Sequence, residues 1–479
     1  MRRRAMHCNS RRTSRLLVPI LAALVAATAC KRRSPEPTPA GPPSAALAPV
    51  AIASRCSEPF PGKRFTLGEG TKAVPDAGAD DEADDGLDQP ALPFAAELGG
   101  AVPFAGSFAV SALWARAGKT TAVVALLDAE VGGGKLVELG RLHGDPDPPE
   151  LAVFDADLVA LVHDSDAGGE LLRLVAIRPG AAKAEVVLGA EIASSRDESR
   201  VAGLELGPER GVAIWDEWSA ADKHGVIVTS SFARKDISNV SKKRIVSLRG
   251  EDAEAPRVVR RPGGFWAAWI SRTAAPKPRA PLPKPAASAS ADLPEPSLVD
   301  LGERYLSAVL LDHNGVAVSE PKAITPKNSH VLVFDLAPGP DGSLLFSWRD
   351  DDSAPGTDER QIYIGSVKPD GTAERRLLDD RGPGVGVPAI LVDDAPKDPS
   401  APHAWLSLDS VSDATRIGAL GPGANLLDAL GVEPAVRSAD LLAISKGKLL
   451  VARPRGLAME LSLIECRPGP APERDAAAD

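Results

Sequence analysis

Long amphipathic helices are missing from this sequence. Almost no stretch carries an apolar stripe at the 3.6-residue period, which argues against a helical bundle. Aromatic residues are scarce at 4%, and tyrosine occurs twice. Basic charge is in short supply once the first 29 residues, with six Arg and no acid, are set aside. The remainder holds 49 Lys and Arg against 65 Asp and Glu, a balance of −16. Nucleic-acid binders gain affinity by neutralising phosphates, so this acidity speaks against a nucleic-acid partner. The seven histidines (His7, His143, His163, His224, His313, His330 and His403) show no pair at metal-ligand spacing, and H-E-x-x-H is absent. No metal and no cofactor is therefore expected. G-x-S-x-G, the nucleophile elbow of many hydrolases, is absent too. The stretch "EVGGGKLV" from Glu130 is not a phosphate loop, because Leu136 stands where a magnesium-holding Ser or Thr is needed; it reads as a turn.

What is present begins with a targeting pattern. Six Arg between Arg2 and Arg15 precede an apolar run from Leu16 to Ala29, 14 residues long. A bilayer span needs about 20. The run ends in Ala27-Thr28-Ala29, directly before Cys30. This resembles the lipobox of bacterial lipoproteins, although Ala27 replaces the usual Leu. The resemblance implies cleavage before Cys30, diacylglycerol on its thiol and acylation of the new amine, a stable anchor with several buried chains. The other reading is a plain secretory signal with a chance Cys. Arg11-Arg12 is also faintly similar to a twin-arginine signal. Residues 1–29 are thus expected to be a signal peptide. Residues 30–55, rich in Pro, Ala and Ser, form a tether. An acidic loop spans 73–92, where "DAGADDEADDGLD" lacks the spacing of a known calcium loop. The expected location is the bacterial envelope, lipid-anchored on the periplasmic or cell-surface side.

Pro and Gly together number 87, and short β-branched and Leu-rich runs are broken by Gly, Pro and Asp. That is the pattern of strands and turns. The runs recur. "SALWARAGK", "VALVHDSDA", "VAIWDEWSA", "WAAWISRTA", "LFSWRDDDS", "PHAWLSLDS" and "LLVARPRGL" are apolar strands with polar ends. Markers at Trp114, Val162, Trp215, Trp269, Trp348, Trp405 and Val451 are separated by 48, 53, 54, 79, 57 and 46 residues. The outlier contains a Pro/Ala-rich insertion at 274–298. A period near 50 with about four strands per unit is that of a β-propeller blade. The expectation is an all-β chain, a β-propeller over 56–466 with seven blades, followed by a tail without structure at 467–479. Six blades is the alternative, since the first unit is weakly marked between Pro90 and Gly106. The Trp residues are expected to pack between blades.

The unit "FSWRDDDSAPGTDERQIYIGSVKPDGTAERRLL" resembles a repeat of secreted bacterial β-propellers: W-x-D/E at a strand end, a polar loop, I-Y, then V-x-x-D-G. The match is best at Phe346 to Leu378 and partial around Trp215 and Trp269. It implies a propeller displayed outside the cytoplasm and brings no catalytic residues. The Asp-box of sialidase-type propellers, S-x-D-x-G-x-x-W, is absent. "DHNG" and "KPDG" read as hairpin turns.

Four cysteines occur. Cys8 leaves with the signal and Cys30 takes lipid, which leaves Cys56 and Cys466 as a pair in an oxidising compartment. The seventh unit ends with "MELSLIEC" and lacks a fourth strand. "KRFTLGE" from Lys63 is expected to supply it and close the ring. A Cys56–Cys466 disulfide would lock that closure.

For function, the loops after each second strand carry a set of polar groups: His163, Asp164 and Asp166; Asp216, Glu217 and Trp218; Asp350, Asp351 and Asp352; Asp409 and Asp413. They form a candidate binding face, from which the Pro-rich insertion also leaves. The expected role is a binding or scaffold module of the envelope, with an envelope protein or polysaccharide as partner. The alternative is a lyase or glycoside hydrolase with paired carboxylates at the ring mouth.

Overall fold

The computed structural model describes residues 54–68, 96–116, 119–143, 146–166, 169–179, 184–195, 201–272, 303–350, 361–378, 388–393, 404–408, 414–420, 433–437, 440–455 and 458–468. The signal segment, Cys30, residues 31–53 of the tether, the acidic loop, the Pro-rich insertion and residues 469–479 lie outside the described residues. The expected bounds shift at both ends: Ser54 and Arg55, assigned to the tether, pair as strand with Pro468 and Arg467, assigned to the tail, because the last strand runs on past Cys466.

The described residues fold into seven antiparallel sheets, each built from consecutive strands. Blades 1 to 6 occupy residues 97–142, 150–195, 202–245, 252–323, 331–378 and 389–437. Blade 7 takes Asp440–Ser445, Lys448–Arg455 and Ala458–Pro468. The first strand of each blade lies against the first strand of the next, and Asp440–Ser445 of blade 7 lies against Glu97–Phe104 of blade 1. The circle is therefore closed, and the fold is a β-propeller.

All seven markers sit in second strands. Trp114 is in Ser107–Arg116, Val162 in Asp157–Asp166, Trp215 in Arg210–Ser219 and Trp269 in Gly264–Arg272. Trp348 is in Leu344–Asp350, Trp405 in Ala404–Leu408 and Val451 in Lys448–Arg455. A second strand is covered on both faces by neighbouring blades, which is why its residues read as a continuous apolar run rather than alternating with polar ones. The pleat sends alternate side chains to opposite neighbours. Ala213 and Trp215 enter the core shared with blade 2, whereas Val212 and Ile214 enter the core shared with blade 4. Seven apolar clusters result, one at each junction of two blades. Trp215 and Trp269 are fully buried. Trp348 stacks between Phe346 and Tyr363, with ring centroids 5.3 and 4.8 Å away.

The ring closes as the sequence suggests, with one difference. Phe65–Leu67 pairs antiparallel with the last strand, Phe65 opposite Leu461 and Leu67 opposite Met459. Cys56, expected in the lead-in to that strand, instead lies in a paired segment of its own. Ser54–Ser57 runs along the far end of the same last strand, with Cys56 directly opposite Cys466. The last strand has 11 residues, enough to carry both N-terminal pieces end to end. The connection turns at Phe60–Lys63, where the Lys63 amide donates to the Phe60 carbonyl at 3.1 Å. Arg64 ties the junction together, donating to Glu58 at 2.7 Å and to Glu460 at 3.0 Å. Phe60, Phe65 and Leu67 complete the core between blades 7 and 1.

The turn assignments also appear in the structure. In "DHNG" the Gly315 amide donates to the Asp312 carbonyl at 3.0 Å, and in "KPDG" Gly371 donates to Lys368 at 2.8 Å. "EVGGGKLV" belongs to a turn closed by Val131 to Asp128 at 3.1 Å.

Candidate functional site

A propeller of this topology has two unlike faces. One carries the ends of the second strands and the links between blades. The other carries the turns that join first to second strands. Of the acidic residues singled out in the sequence, Asp164, Asp216, Glu217 and Asp350 belong to the first face.

There the described acids are engaged with backbone. Asp164 accepts the His143 amide at 3.1 Å, with the His143 Nδ1 3.3 Å from the same oxygen. Asp216 accepts the Val201 amide at 3.0 Å and, through its other oxygen, the Ala255 amide at 3.1 Å. Asp350, 7% exposed, accepts the His330 amide at 2.9 Å. His143, Val201 and His330 all lie on the segment that leads into the first strand of the acid's own blade. The aspartate at the end of the second strand thus pins the incoming chain. Burial pushes the Asp216 carboxyl up to about 6; the Ala255 and Val201 amides hold it down, and nearby Glu254 adds to the rise. Glu217 accepts from Lys243 at 2.6 Å and from the Trp215 indole at 3.3 Å. Trp218 is 55% exposed, and His163 is half-buried. Asp166 ends its strand by backbone, with its side chain outside the described residues, as are Asp351, Asp352, Asp409 and Asp413. Asp164, Asp216 and Asp350 sit in three different blades, each on its own amides.

In blade 4 the second strand ends at Arg272. Arg272 and Arg304 both bind Glu254 of the first strand. Burial disfavours the Glu254 charge, but these two guanidiniums outweigh it and hold the carboxyl below its ordinary value.

A second polar group sits on the first strands, which the sequence reading did not single out. Glu150, Arg257 and Asp335 belong to the first strands of blades 2, 4 and 5. Arg257 lies 3.6 Å from Asp335, which also accepts the Ile390 amide of blade 6 at 2.9 Å. Burial raises the Asp335 carboxyl, with Arg257 opposing. Burial raises Glu150 as well; Arg257 opposes, while Asp147 and Asp335 add to the rise.

The turn face holds a cavity of about 600 Å³, contributed by four successive blades. Phe154 comes from blade 2, the Gly207–Arg210 turn from blade 3, Arg260 to Phe265 and His313 from blade 4, and Pro338 from blade 5. The turn of blade 4 is Pro262-Gly263, with Arg261 paired to Gly264. Proline presets the first corner and Gly263, at φ +79°, makes the second. A Cβ on Gly264 would lie 2.1 Å from the Leu311 carbonyl, so only glycine lets this hairpin reach the third strand. No signal in the sequence joins these segments, because they lie between positions 154 and 338 on four separate repeats.

Among the described residues, no group of three or more His, Cys, Asp or Glu is placed to hold a metal ion. No protein-family model matches this chain, and no curated protein does. Solved structures share the fold at low identity. The β-propeller domain of the Trilobed protease from Pyrococcus furiosus is 9% identical, covering 80% of this chain and 99% of that one at a TM-score of 0.44. The polysaccharide lyase Uly1 is 11% identical, covering 87% and 99% at 0.45. An α-L-arabinofuranosidase of Fusarium graminearum, in a mutant form bound to an iminosugar inhibitor, is 13% identical, covering 66% and 88% at 0.40. The ring of seven sheets makes the chain a β-propeller, and the solved structures it resembles include glycoside hydrolases and a polysaccharide lyase.

Proposed function

We propose that this protein is an exported, lipid-anchored β-propeller that serves as a binding module of the bacterial envelope. The cavity on its turn face would be the ligand site. One observation carries the binding reading over the catalytic one: Asp164, Asp216 and Asp350 each hold backbone amides in separate blades and do not converge on a shared pocket. Glycoside hydrolysis needs two carboxyls about 5–10 Å apart across one bond. The export half of the reading rests on the signal pattern and Cys30. It is supported by Cys56 and Cys466 standing opposite each other, because directly opposed antiparallel residues have Cα atoms about 4.5–5.5 Å apart, within disulfide range.

Metabolic labelling with palmitate tests the anchor. The chain should take up label and fractionate with membranes, and Cys30→Ala should lose both. Label on Cys30→Ala, or soluble wild type, would count against it. Co-capture from cross-linked envelopes, with and without residues 274–298, tests for a macromolecular partner.

The enzyme reading keeps one specific support. Glu150 and Asp335 are two carboxyls raised chiefly by burial and both opposed by Arg257, with Asp335 adding to the rise at Glu150. Cleavage of a polysaccharide by the purified chain, abolished by Glu150→Gln and Asp335→Asn, would establish it.

A further inference from the structure

The charge on the cavity wall runs against that of the chain. The protein as a whole has a net charge of −10. The cavity wall carries the guanidiniums of Arg210, Arg260 and Arg261 against the single carboxylate of Glu209. Arg210 donates to the Ser231 hydroxyl at 3.2 Å and to the Ser231 carbonyl at 3.3 Å. Arg261 donates to the carbonyl of its neighbour Pro262 at 2.8 Å, and its Nε is buried with no acceptor. Neither Arg210 nor Arg261 meets a carboxylate among the described residues. Burial alone lowers the pKa of Arg261, with no anion to offset it. A cation taken partly out of water and left without a counter-charge is costly, and an anion placed beside it recovers that cost through charge-assisted hydrogen bonds.

The rest of the wall is apolar. Phe154, Phe265, Pro262 and Pro338 line it. The Phe154 ring is fixed in place by two guanidiniums, Arg234 at 4.7 Å and Arg260 at 4.9 Å from its centroid. A volume of about 600 Å³ falls within the range of small-molecule sites. Built on the reading of this cavity as the ligand site, we infer that it takes a small organic anion: one carboxylate, sulfonate or phosphate on Arg210 and Arg261, attached to a flat apolar body that lies along the Phe and Pro wall.

Naphthalene-2-sulfonate is a probe with both features, and naphthalene-2-sulfonamide has the same shape without the charge. Calorimetric titration of the full-length chain in a non-ionic detergent, with micelle-only blanks, compares them with inorganic sulfate. The expected result is one saturable sulfonate site per chain that weakens with added salt. Sulfonamide and sulfate should each bind at least about tenfold more weakly. Arg261→Gln and Arg210→Gln should each weaken the sulfonate by about tenfold or more. Arg261 reaches only its own neighbour, so its variant is expected to melt with the parent, and the melts of both are recorded. Absence of saturable sulfonate binding, equal binding of the sulfonamide or of sulfate, or indifference to both substitutions in folded protein would overturn the inference. Palmitate labelling and envelope capture are read separately, so the envelope assignment can stand when the anion site fails.

Discussion

An aspartate at the end of a strand can leave its charge in water or spend it on a neighbouring amide. Asp350 takes the second course: 7% exposed, it accepts the His330 amide at 2.9 Å. Asp350→Ala should destabilise the chain by about 1–3 kcal/mol, the cost of an orphaned buried donor. Denaturant unfolding measures this, and a change below about 0.5 kcal/mol, typical of surface sites, would show that the clamp is ornamental. Asp216 adds a pH signature. Its folded pKa of about 6 lies above the unfolded value of about 3.9, so the folded state holds the proton more tightly. The stability this contributes is complete below about pH 4 and is lost as pH rises through about 6, a change of up to about 3 kcal/mol. Asp216→Asn should flatten that part of the profile between pH 4 and 7; an unchanged slope would remove Asp216 as its source. At this scale the sequence showed the acids but neither what they face nor their place: Asp164, Asp216 and Asp350, expected in the loops after the second strands, sit in the paired ends of those strands. Asp164, Asp216 and Asp350 read as an open binding face because the amides they meet belong to the preceding linker or, for Ala255, to the next blade.

At the scale of strands and turns, the sequence was more transparent. Being covered on both faces leaves a run of apolar residues in every second strand, and the seven markers fell there because a Trp or Val in that position fills the gap between two sheets. Register was less visible. "KRFTLGE" was identifiable as the missing strand, but the pairing of Ser54–Ser57 was not, since four polar residues carry no apolar alternation. That pairing sharpens a prediction. Peptide mapping without reductant should recover Cys56 joined to Cys466, and free thiols at both positions would refute it. In the loop-entropy model a bridge across so long a loop contributes about 4–5 kcal/mol, so reduction should lower the melting temperature measurably. The Pro262-Gly263-Gly264 turn is a second test of an element. Gly264→Ala drives a Cβ into the Leu311 carbonyl and should cost about 2–4 kcal/mol, while reshaping the cavity through Arg261 and Phe265. A neutral result in thermal unfolding would contradict the tight approach of this hairpin.

Across the whole molecule, stability is distributed over seven junctions, and six of them are joined by continuous chain. The seventh, between blades 7 and 1, depends on strands from opposite ends of the sequence. Its core includes Leu67 from the N-terminal piece, Val110 from blade 1, and Leu461 and Leu463 from the last strand. If Ser54–Ser57 and Phe65–Leu67 detach, that core loses Phe60, Phe65 and Leu67 together, and the last strand is left as an open edge. No other junction loses a strand without chain on both sides to restore it. The ring should therefore open here first. Native-state hydrogen exchange under reducing conditions should show the amides of Ala458–Pro468 and Ser107–Arg116 exchanging through a lower-energy opening than those of Arg210–Ser219 and His224–Ala233 in blade 3. Oxidation should narrow that gap, because a disulfide between Cys56 and Cys466, which stand opposite each other, would hold the detached piece within reach of its partner strand. Exchange that begins in blade 3, or a gap indifferent to reductant, would mean that the ring does not open at its seam and that the two cysteines do not control it.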